Sequence, residues 1–429
     1  MLEVLRVRGA RVLKVLEVLR VHGVLECPRC AGCARCAGCS SAQGARGARV
    51  LKVRGVLSVR GRFAAKRIER RLSAEHLVHQ EHRVHLEHSS TLAPMRILCG
   101  VLLIAGVIAS SALALSPEVL RSISAIPPDI SGRFREPSGF QQSSSGQYFV
   151  FDRRGHTVYG IDERQTTSWD IVHIGPEPGR IIDPTAFAVA PDGTFVVADA
   201  PNNRERIQIF TPAGARIGGF VVRGRLTPRV TLNSFVIGGI GSLQYTGTSI
   251  LMSQPETGAL ISEYTLAGDI NRLIGTLRHT GREDDRELHL ALNTGMPLFD
   301  PTGGFFFVFQ TGEPMFRKYD RGGQLVFERR IEGREIEDLV GKLPTTWPRR
   351  NTSDGDVPVV SPTIRTAAVD PSGHLWVSFV VPYTYVFDGD GDKIRTLQFR
   401  GAGIISPNSF FFTGKGRILV TPGLYEFAP

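Results

Sequence analysis

Downstream of Cys99 the chain contains no cysteine. That excludes a disulfide framework there, so stability must come from an ordinary packed core. Residues 1–94 contain no aspartate. No stretch reads HExxH, GxxxxGK[ST] or GxSxG. The sequence therefore lacks the local signatures of zincin, P-loop and serine-hydrolase chemistry. The histidines after residue 100, His156, His173, His279, His289 and His374, are isolated. Each reads as a surface or packing residue rather than a ligand.

Charge of one sign is also missing where it would matter. The 429 residues carry a net charge of +10, which taken alone suggests nucleic acid or an acidic membrane. Residues 1–94 hold 18 Lys and Arg against 7 Glu, a net +11. The remainder has 33 basic and 34 acidic residues. It has no electrostatic bias toward nucleic acid, and none is expected as a partner.

The first 94 residues share one period across unrelated compositions. Val12, Val15, Val18, Val21 and Val24 stand three apart, as do Cys27, Cys30, Cys33, Cys36 and Cys39, and His76, His79, His82, His85 and His88. A helix needs about 3.6 residues per turn and a strand needs two. A nine-nucleotide repeat in the DNA would give this period whatever the amino acids. Residues 1–94 are expected to be a low-complexity extension, either mistranslated upstream DNA or a disordered tail. A Cys/His-rich metal-binding segment is the rival reading. The stretch MRILCGVLLIAGVIASSALA, residues 95–114, has a basic start, an apolar centre and an A-x-A end. It reads as a signal peptide, or, if uncleaved, as a membrane anchor through residues 97–115. Both place the rest in the periplasm or outside the cell.

From residue 115 onward a unit recurs: strand, tight turn, strand, polar loop, strand, turn, strand. Its first-turn glycines are Gly146, Gly193, Gly247, Gly303, Gly373 and Gly416, spaced by 47, 54, 56, 70 and 43 residues. Runs such as TFVVAD and RIQIF support strands. Four-stranded units of this length are propeller blades. The expected fold is all-β, a six-bladed β-propeller of four-stranded antiparallel blades over 115–429. Residues 116–132 are expected to supply the outer strand missing from the truncated last repeat. Helix is expected almost nowhere outside Arg334–Lys342.

The second unit, VAPDGTFVVADAPNNRERIQIFTPAG, resembles an NHL repeat. The match lies in Asp192-Gly193, Val197-Ala198-Asp199, Asn203-Arg204 and Ile207-Gln208-Ile209-Phe210, with Glu205-Arg206 inserted. It is good here, fair in VDPSGHLWVSF, and loose elsewhere over about residues 137–427. The resemblance implies a secreted or periplasmic bacterial propeller, and says little about chemistry.

Two glycine-rich stretches have ordinary explanations. DGDGD, Asp388–Asp392, starts like a calcium loop but has Phe399 where position twelve needs a carboxylate. It reads as a blade turn. GAG, Gly401–Gly403, lacks the context of a dinucleotide loop. A sharper set is Glu136, Asp183 and Asn293, each ten residues before a turn glycine. These are hard oxygen donors from three repeats, as a divalent metal such as calcium wants. The set is weakly similar to that of gluconolactonase-like lactonases. A metal-dependent hydrolase at the channel mouth is thus the alternative function.

The favoured function is a non-catalytic module, without cofactor, that binds a protein or a small molecule. Strand topology puts the second loops and the inter-repeat connections on one rim. Arg153, His156, Asn203, Arg204, Glu256 and Glu313 lie in those loops and are the expected binding residues. The long connection Glu332–Pro362 is expected to act as a partial lid.

Overall fold

The computed structural model describes residues 3–7, 10–14, 116–222, 228–232, 235–238, 241–352 and 355–429. The chain divides into two units, Met1–Thr91 and Leu92–Pro429. In the first, β1 (Glu3–Val7) and β2 (Ala10–Lys14) pair as an antiparallel hairpin. The cysteine and histidine runs and the apolar segment 95–114 lie outside the described residues. No helix among the described residues is long and apolar enough to cross a membrane.

In the second unit, β3 (Glu118–Ala125) and the one-turn helix α1 (Pro128–Ser131) precede the repeats. The first repeat gives β4 (Pro137–Gln142), β5 (Tyr148–Asp152), β6 (Thr157–Ile161) and β7 (Ser168–Val172). The second gives β8 (Ala186–Val189), β9 (Phe195–Asp199), β10 (Arg206–Phe210) and β11 (Arg216–Val221). The hairpin β12 (Pro228–Leu232) and β13 (Phe235–Gly238) follows. The third repeat gives β14 (Leu243–Tyr245), β15 (Ile250–Met252), β16 (Ala259–Tyr264) and β17 (Ile270–Thr276). Helix α2 (Arg286–Leu292) leads into the fourth, with β18 (Gly295–Phe299), β19 (Phe305–Phe309), β20 (Met315–Tyr319) and β21 (Leu325–Arg330). The short helix α3 (Glu337–Val340) and the hairpin β22 (Arg349–Thr352) and β23 (Gly355–Pro358) come next. The fifth repeat gives β24 (Ile364–Val369), β25 (Leu375–Phe379), β26 (Thr384–Phe387) and β27 (Lys393–Arg400). The chain ends with β28 (Ile404–Ile405), β29 (Ser409–Phe412), β30 (Ile418–Thr421) and β31 (Tyr425–Phe427).

Each of the first four repeats forms its own four-stranded antiparallel sheet. The first strands neighbour one another in a cycle, β4 to β8, β14, β18, β24, β29 and back to β4. Antiparallel sheets set radially about a common centre define a β-propeller. The expectation of six four-stranded blades is corrected. Four sheets stand alone, and the fifth and last repeats share one nine-stranded sheet. The cause is β3. It pairs antiparallel with β31, supplying the outer strand the truncated repeat lacks, and also pairs in parallel with β27. No open edge is left between the two repeats.

Packing explains the strand sequences. Every residue of β5, β9, β10, β19 and β25 is buried. Middle strands are covered on both faces by neighbouring sheets, so they read as continuous apolar runs such as FFFVF rather than alternating ones. Outer strands such as β21, LVFERR, are mostly exposed. The cores therefore lie between repeats. Phe149, Phe151, Phe187 and Phe195 join the first to the second. Phe140, Tyr148 and Val150 pack on Leu419 and Leu424, joining the first to the last. The first turns need backbone that side-chain-bearing residues avoid. Gly193 has φ +85°, and a Cβ there would stand 3.0 Å from Pro212 Cγ.

Helix is also found outside the expected Arg334–Lys342. Besides the segment at 334–340, α2 is capped by Asp285, whose side chain accepts from Leu288 N at 3.2 Å. Leu288 and Leu292, four apart, are both buried. Asp285 as cap and the four-residue spacing of Leu288 and Leu292 are both local signals of this helix.

Candidate functional site

Polar residues in and beside the NHL-like stretch hold backbone together. Asp199 is fully buried. It accepts from Ile182 N at 3.1 Å and from Arg206 Nε and NH2 at 2.9 and 2.6 Å. Arg206 also donates to the carbonyls of Pro176 and Arg180, at 2.9 and 3.0 Å. Gln208 takes Gly179 N at 2.9 Å and gives to Arg180 O at 2.7 Å. In the first repeat, Asp152 plays the same part, accepting from the amides of Arg135, Glu136 and Gly155 at 2.7, 2.8 and 2.9 Å. Asp388 of DGDGD accepts from the amides of Asp390 and Asp392 at 3.0 and 2.9 Å, as a turn former does.

The first strands enclose a central channel of about 1140 Å³. Its charged lining residues among those described are Glu136, Arg153 and Arg365. All three sit toward one mouth: Glu136 just before β4, Arg153 just after β5, and Arg365 as the second residue of β24. Arg153 NH2 pairs with Glu136 Oε1. Arg365 NH1 donates to Asn408 Oδ1 at 2.8 Å, the residue just before β29, the next strand in the cycle. Its Nε is buried and has no hydrogen-bond partner among the described residues. Burial holds the Arg365 guanidinium below its usual pKa. Elsewhere in the wall, amide side chains link neighbouring first strands. Gln141 accepts from Val189 N at 2.7 Å and Gln244 from Phe299 N at 2.5 Å.

The residues singled out in the sequence divide into those brought together and those kept apart. Glu136 and Arg153 meet in the ion pair at the mouth. His156 Nε2 stands 3.7 Å from Asp183 Oδ1. Both of these residues have positive φ, +51° and +47°. His156 Nδ1 is buried without a partner among the described residues. Asn293 does not face them. It is fully buried at the C-terminus of α2, taking Arg278 N at 2.8 Å and giving to His289 O at 3.0 Å. Among the described residues no three His, Cys, Asp or Glu side chains cluster as a metal site would require. Asn203 ends the turn Pro201–Asn203, its side chain outside the described residues, and Arg204 is exposed. Glu256 lies in the turn Pro255–Thr257. After burial, its charge is the next influence that raises the Tyr264 hydroxyl. Glu313 pairs with Arg330 at 3.0 Å. None of these last four lines the channel.

The connection Glu332–Pro362 folds against α2. Val360 and Trp347 pack on Leu288, Ala291 and Leu292. Arg349 bridges Asp285 and Asp356 at 2.5 and 2.7 Å. Arg278 is the anchor beneath. It donates to the carbonyls of Leu292 and Thr311 at 2.8 and 2.7 Å and stacks 4.3 Å from the Phe309 ring centre. Burial lowers its pKa to about 10. Ser361 and Pro362 reach the channel wall. Arg278 and Arg365 were missed in the sequence. No local motif marks either one, because each is defined by what the folded chain places around it.

No protein-family model matches the chain, and no curated protein matches it. Similar solved structures include a streptogramin B lyase, 12% identical, with a TM-score of 0.39. That match covers 68% of this chain and 92% of the other. A protein of unknown function from Bacteroides caccae is 11% identical, with a TM-score of 0.37, over 61% of this chain and 81% of that one. Likeness at this level does not speak to function. The sheets and their cycle define the class, a β-propeller with a central channel.

Proposed function

We propose that the chain is an NHL-like bacterial propeller of the periplasm or cell exterior that works as a binding module. It holds a small molecule at the loop-rich mouth of its central channel. One observation carries this reading: the channel's charged side chains among the described residues all gather at that mouth. Apolar pockets with a few convergent polar groups are where ligands are held. The signal-like segment 95–114 supports export, with residues 1–94 absent from the mature protein. The metal-dependent hydrolase is the second reading, resting on Glu136, Asp183 and Asn293. It is less favoured because the Asn293 amide is already engaged by backbone.

The test uses small molecules extracted from periplasm and ligand-detected NMR on the purified full-length protein. Ser138 lines the mouth. Ser138→Trp should fill it and remove the binding signals while the melting temperature stays near that of wild type. Signals that persist in this variant would overturn the channel reading. Mass spectrometry of native protein should find no peptide before Met95.

A further inference from the structure

At the channel mouth Glu136 and Arg153 neutralise each other, which leaves Arg365 as one unmatched positive charge. Its bonded partner, Asn408, is neutral, and its buried Nε has none among the described residues. An arginine fork suits a carboxylate, which can accept two N–H groups at once. Away from Arg365 one side of the wall, formed by β24 and β29, becomes apolar, while Gln141 and Gln244 keep the facing side polar. Within β24 the stretch from Arg365 to Val369 spans about 13 Å at the rise of an extended chain. The lining there is Ala367, Ala368 and Val369, with Phe411 and Phe412 on β29. Toward the same far end Phe299 is 44% exposed, an uncovered aromatic facing channel space.

We propose that the channel takes an amphiphilic monocarboxylate, with its carboxylate on Arg365 and its hydrocarbon body along β24 and β29 toward Phe299 and Phe412. This rests on the binding-module reading above. Among the described residues, the charges that line the channel sum to +1, which matches one carboxylate. Arg365 and the apolar β24–β29 side of the wall match the two parts of the ligand, and the length of that side suits a medium-length chain.

Decanoate is the probe, titrated calorimetrically into the full-length protein. One molecule should bind per chain. Arg365→Gln should weaken it at least about tenfold, the expected size of a lost charge-assisted hydrogen bond. Arg365→Lys, which keeps the charge without the fork, should recover part of the loss. Decanol should bind at least about tenfold more weakly than decanoate, on the same energetic ground. Inorganic phosphate should not displace decanoate. Equal binding to wild type and Arg365→Gln would overturn the proposal. So would equal binding of decanol, or displacement by phosphate. If decanoate fails to bind while periplasmic molecules give signals lost in Ser138→Trp, the carboxylate assignment falls and the binding module stands. If neither binds, both fall.

Discussion

The second repeat and the channel wall around Arg365 use their polar residues in opposite ways. In the second repeat, Asp199, Arg206 and Gln208 spend their hydrogen bonds on loop backbone and on each other. Around Arg365 a guanidinium lines the channel, and its buried Nε has no partner among the described residues. Asp199 and Gln208 of the first set belong to the stretch that makes the sequence look familiar. The second has no motif at all. Recognisable residues here hold the sheet in shape, and the candidate site lies where the repeat pattern is broken by a lone charge on a first strand.

Cutting the clasp of the second repeat should have the largest effect. Asp199→Ala removes the carboxylate from a nearly buried Arg206. Breaking one side of such a pair costs about 3–5 kcal/mol, because the remaining charge stays buried. Thermal unfolding should show a large drop in melting temperature. A loss below about 1 kcal/mol would mean that water takes the place of the carboxylate and that the clasp is weaker than its geometry suggests.

Backbone strain comes next. Gly193→Val forces a branched side chain into φ +85° beside Pro212. The expected cost is about 1–3 kcal/mol, measured by denaturant unfolding. Decanoate binding should survive, since Gly193 is not part of the channel wall.

The contact between the first repeat and the last is smaller. Tyr148 donates to Glu426 at 2.7 Å, and Gln165 donates to the same oxygen at 2.7 Å. Burial first, and then the Glu426 carboxylate, push the Tyr148 hydroxyl up to about 12. The unfolded value is near 10, so the fold favours the neutral phenol. Its contribution is complete below pH 10 and is lost as pH rises through 12. Tyr148→Phe should cost about 1 kcal/mol at neutral pH. It should also flatten the alkaline loss of stability between those limits. An unchanged alkaline profile would remove Tyr148 from the closure.

The sequence showed the repeats because each has the same needs, a turn glycine and apolar middle strands, and the first two add a carboxylate at the end of the second strand, Asp152 and Asp199. The strand from residues 118–125 was legible because the last repeat is visibly short. Its pairing with β27 was not, since a parallel contact between distant segments leaves no local pattern. The mouth was half legible. Glu136 and Arg153 were singled out on separate grounds, and the fold pairs them. Asn293 shared an offset with Glu136, but α2 shifts the chain so that its amide caps a helix instead. Arg365 follows Ile364 in an ordinary strand sequence, and only the cycle of first strands makes it a channel residue.

Arg365→Gln gives the smallest expected change in stability and the sharpest test of the comparison. Arg365 forms one hydrogen bond to a neutral amide and sits where burial disfavours its charge. Removing the charge relieves that cost while losing a single contact, and glutamine can still reach toward Asn408. The two effects oppose each other, so the net change should stay within about 0.5 kcal/mol. This is the reverse of Asp199, where one truncation strands a buried partner. If Arg365→Gln instead lowered stability by more than 1–2 kcal/mol, in the range of an ordinary structural loss, Arg365 would belong with the clasp residues. The channel mouth would then be a packing feature rather than a site. If stability holds while decanoate affinity falls, the two regions differ as argued, one built to hold the sheet and the other to hold a ligand.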